Sequence, residues 1–236
     1  MSSQFPKLIL LPGMDGTGNL YTNFIKALPD VFETEVLRYP ADHFLSYEQL
    51  VRVIEPVASS GEPFVLVAES FSTPLAILLA ATKPPTLKGV VICAGFIKSP
   101  VRGWRRLLCS LLSPVMFHCE LPESVTKYLL VGPNASPSLL LALRTAVSSV
   151  RPRVLSARLQ AILTCDARAE LEQVTVPILY LQAKHDRLVE VSCFKEIQRI
   201  RPKTPVAVIS GPHLLFQSEP QKTVDCVIQF VQKLVQ

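Results

Sequence analysis

Short runs of Val, Ile and Leu recur along the chain, and segments with helix-like periodicity fill the intervals between them. Continuous apolar runs of this length, bounded by Gly, Pro and polar residues, read as strands of a parallel sheet buried on both faces. The pattern predicts strands at Lys7–Leu11, Glu35–Arg38, Phe64–Ala68, Gly89–Cys93, Pro177–Gln182 and Val206–Ser210. It predicts helices over Leu20–Leu28, Ser46–Ser59, Phe71–Lys83, Val191–Ile200 and Glu219–Val235. Ser46 and Gln49 stand at capping-box spacing, so the second helix should begin there. In the last helix Val224, Ile228, Val231 and Val235 form the stripe expected to lie on the sheet. Alternating strands and helices imply right-handed crossovers and an α/β, mostly parallel, doubly wound sheet of about six strands.

The alternation stops between Phe96 and Val176. Helical patches at Trp104–Leu112, Ser124–Leu130, Ser138–Val150 and Val154–Leu163 are separated there by prolines at 100, 114, 122, 133, 137 and 152. This reads as a helical cap inserted over the carboxyl edge of the sheet, where open α/β sheets bind ligands. The expected division is a core of residues 1–96 and 170–236 with a cap, or lid, over 97–169.

Charge separates the same two regions. From Lys98 to Arg168 ten bases face three acids, a net +7, while the rest of the chain sums to −2. Arg144, Arg151, Arg153 and Arg158 would lie on the cap's outer face, available to an acidic carrier protein or an anionic surface. Such a basic stretch also reads as an ordinary solvated face, and no recognised nucleic-acid motif accompanies it. The apolar cap residues Trp104, Leu107, Leu108, Leu111, Leu112, Met116 and Phe117 pack onto the core or, in the sharper reading, line an acyl pocket; Trp104, Leu108, Leu111 and Met116 are the candidates.

With 49% hydrophobic side chains and a mean hydropathy of +0.33, 236 residues suffice for one large core. Six scattered cysteines form no CxxC pair, which favours reduced thiols in a cytoplasmic protein over a zinc site or a disulfide frame. No basic segment followed by a long apolar stretch opens the chain, and no run approaches the ~20 apolar residues that span a bilayer. Neither metal nor cofactor is expected.

The candidate chemistry begins where Phe64–Ala68 passes through Glu69-Ser70-Phe71-Ser72 into a helix. A serine on a sharp strand-to-helix turn projects its hydroxyl above the sheet, backed by the N-terminus of the helix. Small residues, Ala68 and Ser72, stand where glycines are usual. A five-residue pattern is weak by itself, and three other places support it. Leu11-Pro12-Gly13-Met14-Asp15-Gly16-Thr17-Gly18 is a Gly-rich turn after the first strand that can aim the Met14 N–H at the same edge. With the Phe71 N–H it would supply two donors for an oxyanion. The P-loop pattern is not met, because the required Lys is missing. Asp186 opens a loop after a strand, where a simple turn aspartate is the competing reading. His213 follows the last strand, completing the chain order Ser, Asp, His. His43, His118 and His185 fit surface or packing roles better.

With these four motifs in register with the strands, the chain resembles the α/β-hydrolase superfamily over essentially its whole length. It is most similar to small bacterial-type esterases with a helical cap, a group that includes the pimeloyl-carrier methyl ester esterases. The resemblance implies an α/β-hydrolase fold and a carboxylic ester hydrolase acting on a small-molecule acyl ester through an acyl-enzyme. Ser70 would be the nucleophile, His213 the base, Asp186 its orienting acid, and Met14 and Phe71 the oxyanion donors. A thioesterase, an acyltransferase or a slow-turnover ligand sensor built on the same triad are the alternatives. A haloalkane dehalogenase would require Asp at position 70.

Overall fold

The computed structural model describes residues 5–59, 61–101, 117 and 121–235. Six strands form one sheet: β1 (Lys7–Leu11), β2 (Thr34–Val36), β3 (Phe64–Glu69), β4 (Leu87–Cys93), β5 (Ile178–Ala183) and β6 (Val206–Ile209). Their spatial order is β2-β1-β3-β4-β5-β6 and every pairing is parallel. The six strands match the expected runs to within two residues at either end, and the sheet is wholly rather than mostly parallel.

Strand parity divides the core in two. Ile9, Leu11, Leu66, Ala68, Val90, Ile92, Ile178 and Tyr180 face one side, and Leu8, Leu10, Val65, Val67, Val91, Cys93, Leu179 and Leu181 face the other. The central strands are therefore apolar at consecutive positions because both faces are covered. Each fully buried Val or Leu contributes roughly 1.5–3 kcal/mol of transfer free energy. On the first side lie α2 (Tyr47–Ala58), α3 (Thr73–Ala81), α7 (Arg168–Gln173) and α8 (Val191–Ile200); on the second lie α1 (Thr22–Ala27) and α10 (Pro220–Leu234). The capping box forms: Ser46 N–H donates to Gln49 Oε1 at 2.8 Å and Gln49 N–H to Ser46 Oγ at 3.3 Å. In α10 the buried stripe is Val224, Val227, Phe230 and Val231. Val235 lies past the helix end and is exposed, and Ile228 is only partly covered, which corrects the expected stripe at those two positions while Val224 and Val231 keep theirs.

Between β4 and β5 the described residues contain α4 (Glu123–Thr126), which runs into a π-helical turn over Lys127–Val131, then α5 (Pro137–Ser148) and α6 (Pro152–Thr164). The helix expected at Trp104–Leu112 lies outside the described residues. The short helices α7 and α9 (Leu215–Ser218) have no counterpart in the sequence reading; Leu171 of α7 packs in the main core. Among the described residues no helix is long and apolar enough to cross a membrane. The chain leaves β1 toward β2 on one side, and β3 returns on the other. Such a reversal opens a crevice at the carboxyl ends of β1 and β3.

Candidate active site

That crevice receives two loops. The first, after β1, is the Gly-rich turn. Gly16 N–H donates to the Gly13 carbonyl at 3.0 Å, which fixes the Gly13–Met14 peptide plane and with it the direction of the Met14 N–H. Buried Asp15 accepts from the Thr17 N–H at 2.9 Å and from the Thr17 hydroxyl. Arg158, from α6, closes the turn from above. Its Nη1 donates to the carbonyls of Met14 (2.9 Å) and Asp15 (2.7 Å), and Nη2 donates to that of Pro40 (2.9 Å). Gly16 has φ +69°, and a Cβ there would stand 2.6 Å from Arg158 Nη1, so neither the backbone nor the space admits a side chain. The sequence reading put Arg158 on an outward, docking face. It is 2% exposed, so that expectation is corrected: the guanidinium faces backbone carbonyls, not solvent.

The second loop follows β3. Ser70 has φ +46°, one of three positive-φ residues other than glycine among the described residues. That strained conformation is the one a sharp strand-to-helix turn imposes on the residue at its tip. A 3₁₀ turn over Ser70–Ser72 leads into α3, with Pro74 in its first turn. Fully buried Ser72 takes the position usual for glycine. Its hydroxyl donates to the Pro12 carbonyl and accepts from the Tyr39 hydroxyl at 2.6 Å, tying the elbow to the first loop.

Two further loops bring the expected partners. After β5, Asp186 Oδ1 accepts from the N–H groups of Leu188 and Val189, both at 2.8 Å. Its other oxygen, Oδ2, meets His213 Nδ1 at 2.8 Å. His213 Nε2 lies 3.0 Å from Ser70 Oγ. With the ring proton on Nδ1, facing the carboxylate, the lone pair of Nε2 points at the hydroxyl. The histidine and aspartate side chains are 5% and 4% exposed. The structure thus brings together Ser70, Asp186 and His213, three residues far apart in sequence, beside the turns that carry Met14 and Phe71. The histidine loop is held by the inserted segment: the Leu214 N–H donates to the Leu130 carbonyl at 3.0 Å, and Gly132 lies against Pro212. Arg187, next to Asp186, stacks 3.6 Å over the Tyr128 ring.

Sequence reasoning missed three participants, Tyr39, Glu69 and Gln217, and misplaced a fourth, Arg158. Glu69 is 1% exposed at the end of β3. It accepts from Gln217 Nε2 at 3.3 Å, and its second oxygen has no partner among the described residues. Burial, reinforced by the nearby Asp15 carboxylate, pushes its carboxyl up to about 7. Burial likewise raises the Asp15 carboxyl. The visible signal was a charged residue inside an otherwise apolar strand.

Of the pocket candidates, Trp104, Leu108, Leu111 and Met116 lie outside the described residues. Phe117 packs with Met14 and Ala41 against Val150, Val154 and Leu155. Arg144, Arg151 and Arg153 are exposed, and Arg153 donates to the Asp42 carbonyl. Among the described residues no three His, Cys, Asp or Glu side chains could hold a metal ion.

Comparison with known proteins agrees with this architecture. The chain is 27% identical over 237 residues to the biotin biosynthesis bifunctional protein BioHC of Cellvibrio japonicus (strain Ueda107), covering 94% of this chain and 45% of that one. It is 37% identical over 82 residues to the chloroplastic phytyl ester synthase 1 of Arabidopsis thaliana, covering 32% of this chain and 12% of that one. The chain therefore spans less than half the length of these relatives. A solved hydrolase from Oleispira antarctica superposes with a TM-score of 0.80 at 16% identity, over 98% of this chain and 93% of that one. The family model described as serine aminopeptidase, S33, matches residues 41–223. By that match the chain belongs to the serine aminopeptidase (S33) family, and its fold is that of the α/β hydrolases.

Proposed function

We propose that the chain is a serine hydrolase that cleaves carboxylic acyl esters through an acyl-enzyme, with Ser70 as nucleophile, His213 as base and then acid, and Asp186 as the orienting carboxylate. The observation that carries this reading is the unbroken line from Asp186 Oδ2 through His213 to Ser70 Oγ, at 2.8 and 3.0 Å, ending on a serine with φ +46°. Ser70 Oγ attacks the acyl carbon while its proton passes to Nε2. The oxygen of the tetrahedral intermediate takes up negative charge between the N–H groups of Met14 and Phe71. The intermediate then collapses, and the leaving alcohol takes the proton from Nε2. Water, deprotonated by the same nitrogen, attacks the acyl-enzyme; Nε2 then returns that proton to Ser70 Oγ as the acyl–oxygen bond breaks and the acid leaves. Residues 97–169 form the lid in this reading.

Ser70→Ala is expected to lower turnover of p-nitrophenyl esters by at least about 10⁴-fold and to abolish fluorophosphonate labelling, with the circular dichroism spectrum unchanged. Unchanged turnover or labelling in that variant overturns the assignment. A second reading, acyl transfer to an alcohol, draws on the likeness of one segment to a phytyl ester synthase. The ratio of free acid to new ester in the presence of a long-chain alcohol separates the two. An acidic carrier as acyl donor would dock at the exposed Arg144, Arg151 and Arg153, with an affinity that falls as salt rises.

A further inference from the structure

Glu69 has no part in the mechanism above, yet its carboxyl is enclosed at the centre of the site. It immediately precedes the nucleophile and lies against Gly13, where an added Cβ would stand 3.5 Å from Glu69 Oε2. Its Oε2 accepts from the Gln217 amide at 3.3 Å, and the next residue along the chain, Ser70, has its hydroxyl 3.0 Å from His213 Nε2. Burying a carboxyl with one oxygen unsatisfied costs stability, which a role in the reaction would account for.

We infer that Glu69 is a positioning residue for the reaction: it anchors the oxyanion turn at Gly13 and, when ionised, provides a second buried counter-charge for the imidazolium that His213 becomes. The inference rests on the hydrolase reading and deepens it. The physical reason is asymmetric. The neutral imidazole that accepts the proton gains little from a nearby carboxylate, whereas the transition state carries a positive ring on a side chain only 5% exposed, where opposite charges attract strongly. An interaction realised only in the transition state raises kcat.

The groups facing Glu69 are Asp15 on the Gly-rich turn, His213 and Gln217 on the last loop and α9, Tyr21 beside α1, and Cys93, its register partner on β4. Asp15 opposes ionisation of Glu69; Gln217, the Gly13 N–H and a protonated His213 favour it. Glu69 is thus neutral on the acid side of about pH 7 and charged on the alkaline side.

The test is kcat for p-nitrophenyl acetate against pH in the full chain and in Glu69→Gln, which keeps the shape and an acceptor for Gly13 but cannot ionise. The expected result is equal kcat near pH 6 and a deficit of about tenfold above pH 8, the equivalent of one pKa unit of charge interaction, with the crossover near pH 7. A purely structural role would lower kcat by the same factor at every pH, and such a flat ratio overturns the inference. Asp15→Asn supplies an independent arm: removing the opposing charge should move the Glu69-linked inflection of an otherwise native site to lower pH, and an inflection that stays in place also overturns it. Failure here is distinguishable from failure of the hydrolase reading. A flat ratio in two active enzymes refutes the role of Glu69 alone, whereas labelling that survives Ser70→Ala refutes the nucleophile.

Discussion

Replacing Arg158 by Met tests whether α6 holds the Gly-rich turn in its working shape. Met preserves the unbranched stem and removes the guanidinium, and with it three hydrogen bonds to the carbonyls of Met14, Asp15 and Pro40 at 2.7–2.9 Å. Bonds from a charged donor contribute about 1.5–3 kcal/mol each. Against them stands the cost of burying the cation, which holds the Arg158 guanidinium below its usual value. Breaking such a buried arrangement from one side typically costs about 3–5 kcal/mol. For a domain of this size that corresponds to a fall in Tm of about 6–20 °C, readable by calorimetry. The released Asp15 carbonyl lets its peptide turn, and with it the Gly16 N–H that holds the Gly13 carbonyl and aims the Met14 N–H; on the proposed mechanism, loss of one aligned oxyanion donor costs about 10²–10³ in kcat. The expected outcome is therefore a large loss of kcat with KM little changed, measured well below the melting transition. A variant that melts within about 1 °C of the wild type and retains kcat within about twofold would refute the reasoning.

Two further outcomes follow from buried polar groups. Ser72→Ala should lower stability by about 1–3 kcal/mol, seen as a shift in the urea midpoint at constant m-value, because the Pro12 carbonyl and Tyr39 hydroxyl lose their shared partner. Glu69 makes stability depend on pH with a definite sign. Its carboxyl is raised from 4.5 to about 7 in the folded chain, so its contribution is complete below pH 4.5 and is lost as pH rises through about 7. The loss amounts to ~3 kcal/mol, and Glu69→Gln should flatten that limb of a Tm-against-pH curve. An unaltered limb in the variant would assign the dependence to other groups.

Strand parity made most of the fold legible. Once β3 is read as buried on both faces, the sheet, its helices and the turns at its carboxyl edge follow, and the residues later found within 3.0 Å of one another are those that end β3, β5 and β6. Arg158 was misread because its charge was weighed above its place in the helix. Leu155, Arg158 and Ile162 fall three and four residues apart, on the stripe that turns inward. Glu69 was passed over for a similar reason: its neighbour, not its own burial, drew attention. Tyr39 and Gln217 carried no local signal, since their partners lie 33 and 148 residues away in sequence. In α10 the choice between Val227 and Ile228 could not be made from spacing, because both fit a helical repeat and only the tilt of the helix on β4 decides between them.

The bond from the Leu214 amide to the Leu130 carbonyl bears on how this scaffold can be altered. It joins the π turn to the residue next to the imidazole through main chain, so no side-chain replacement other than proline at position 214 removes its donor. Exchanging the region between β4 and β5 for that of another α/β hydrolase, or shortening it by one residue within the π turn, would re-aim that carbonyl and leave the His213 loop without its brace. Transplanting specificity onto this core therefore requires the histidine loop to travel with the region above it.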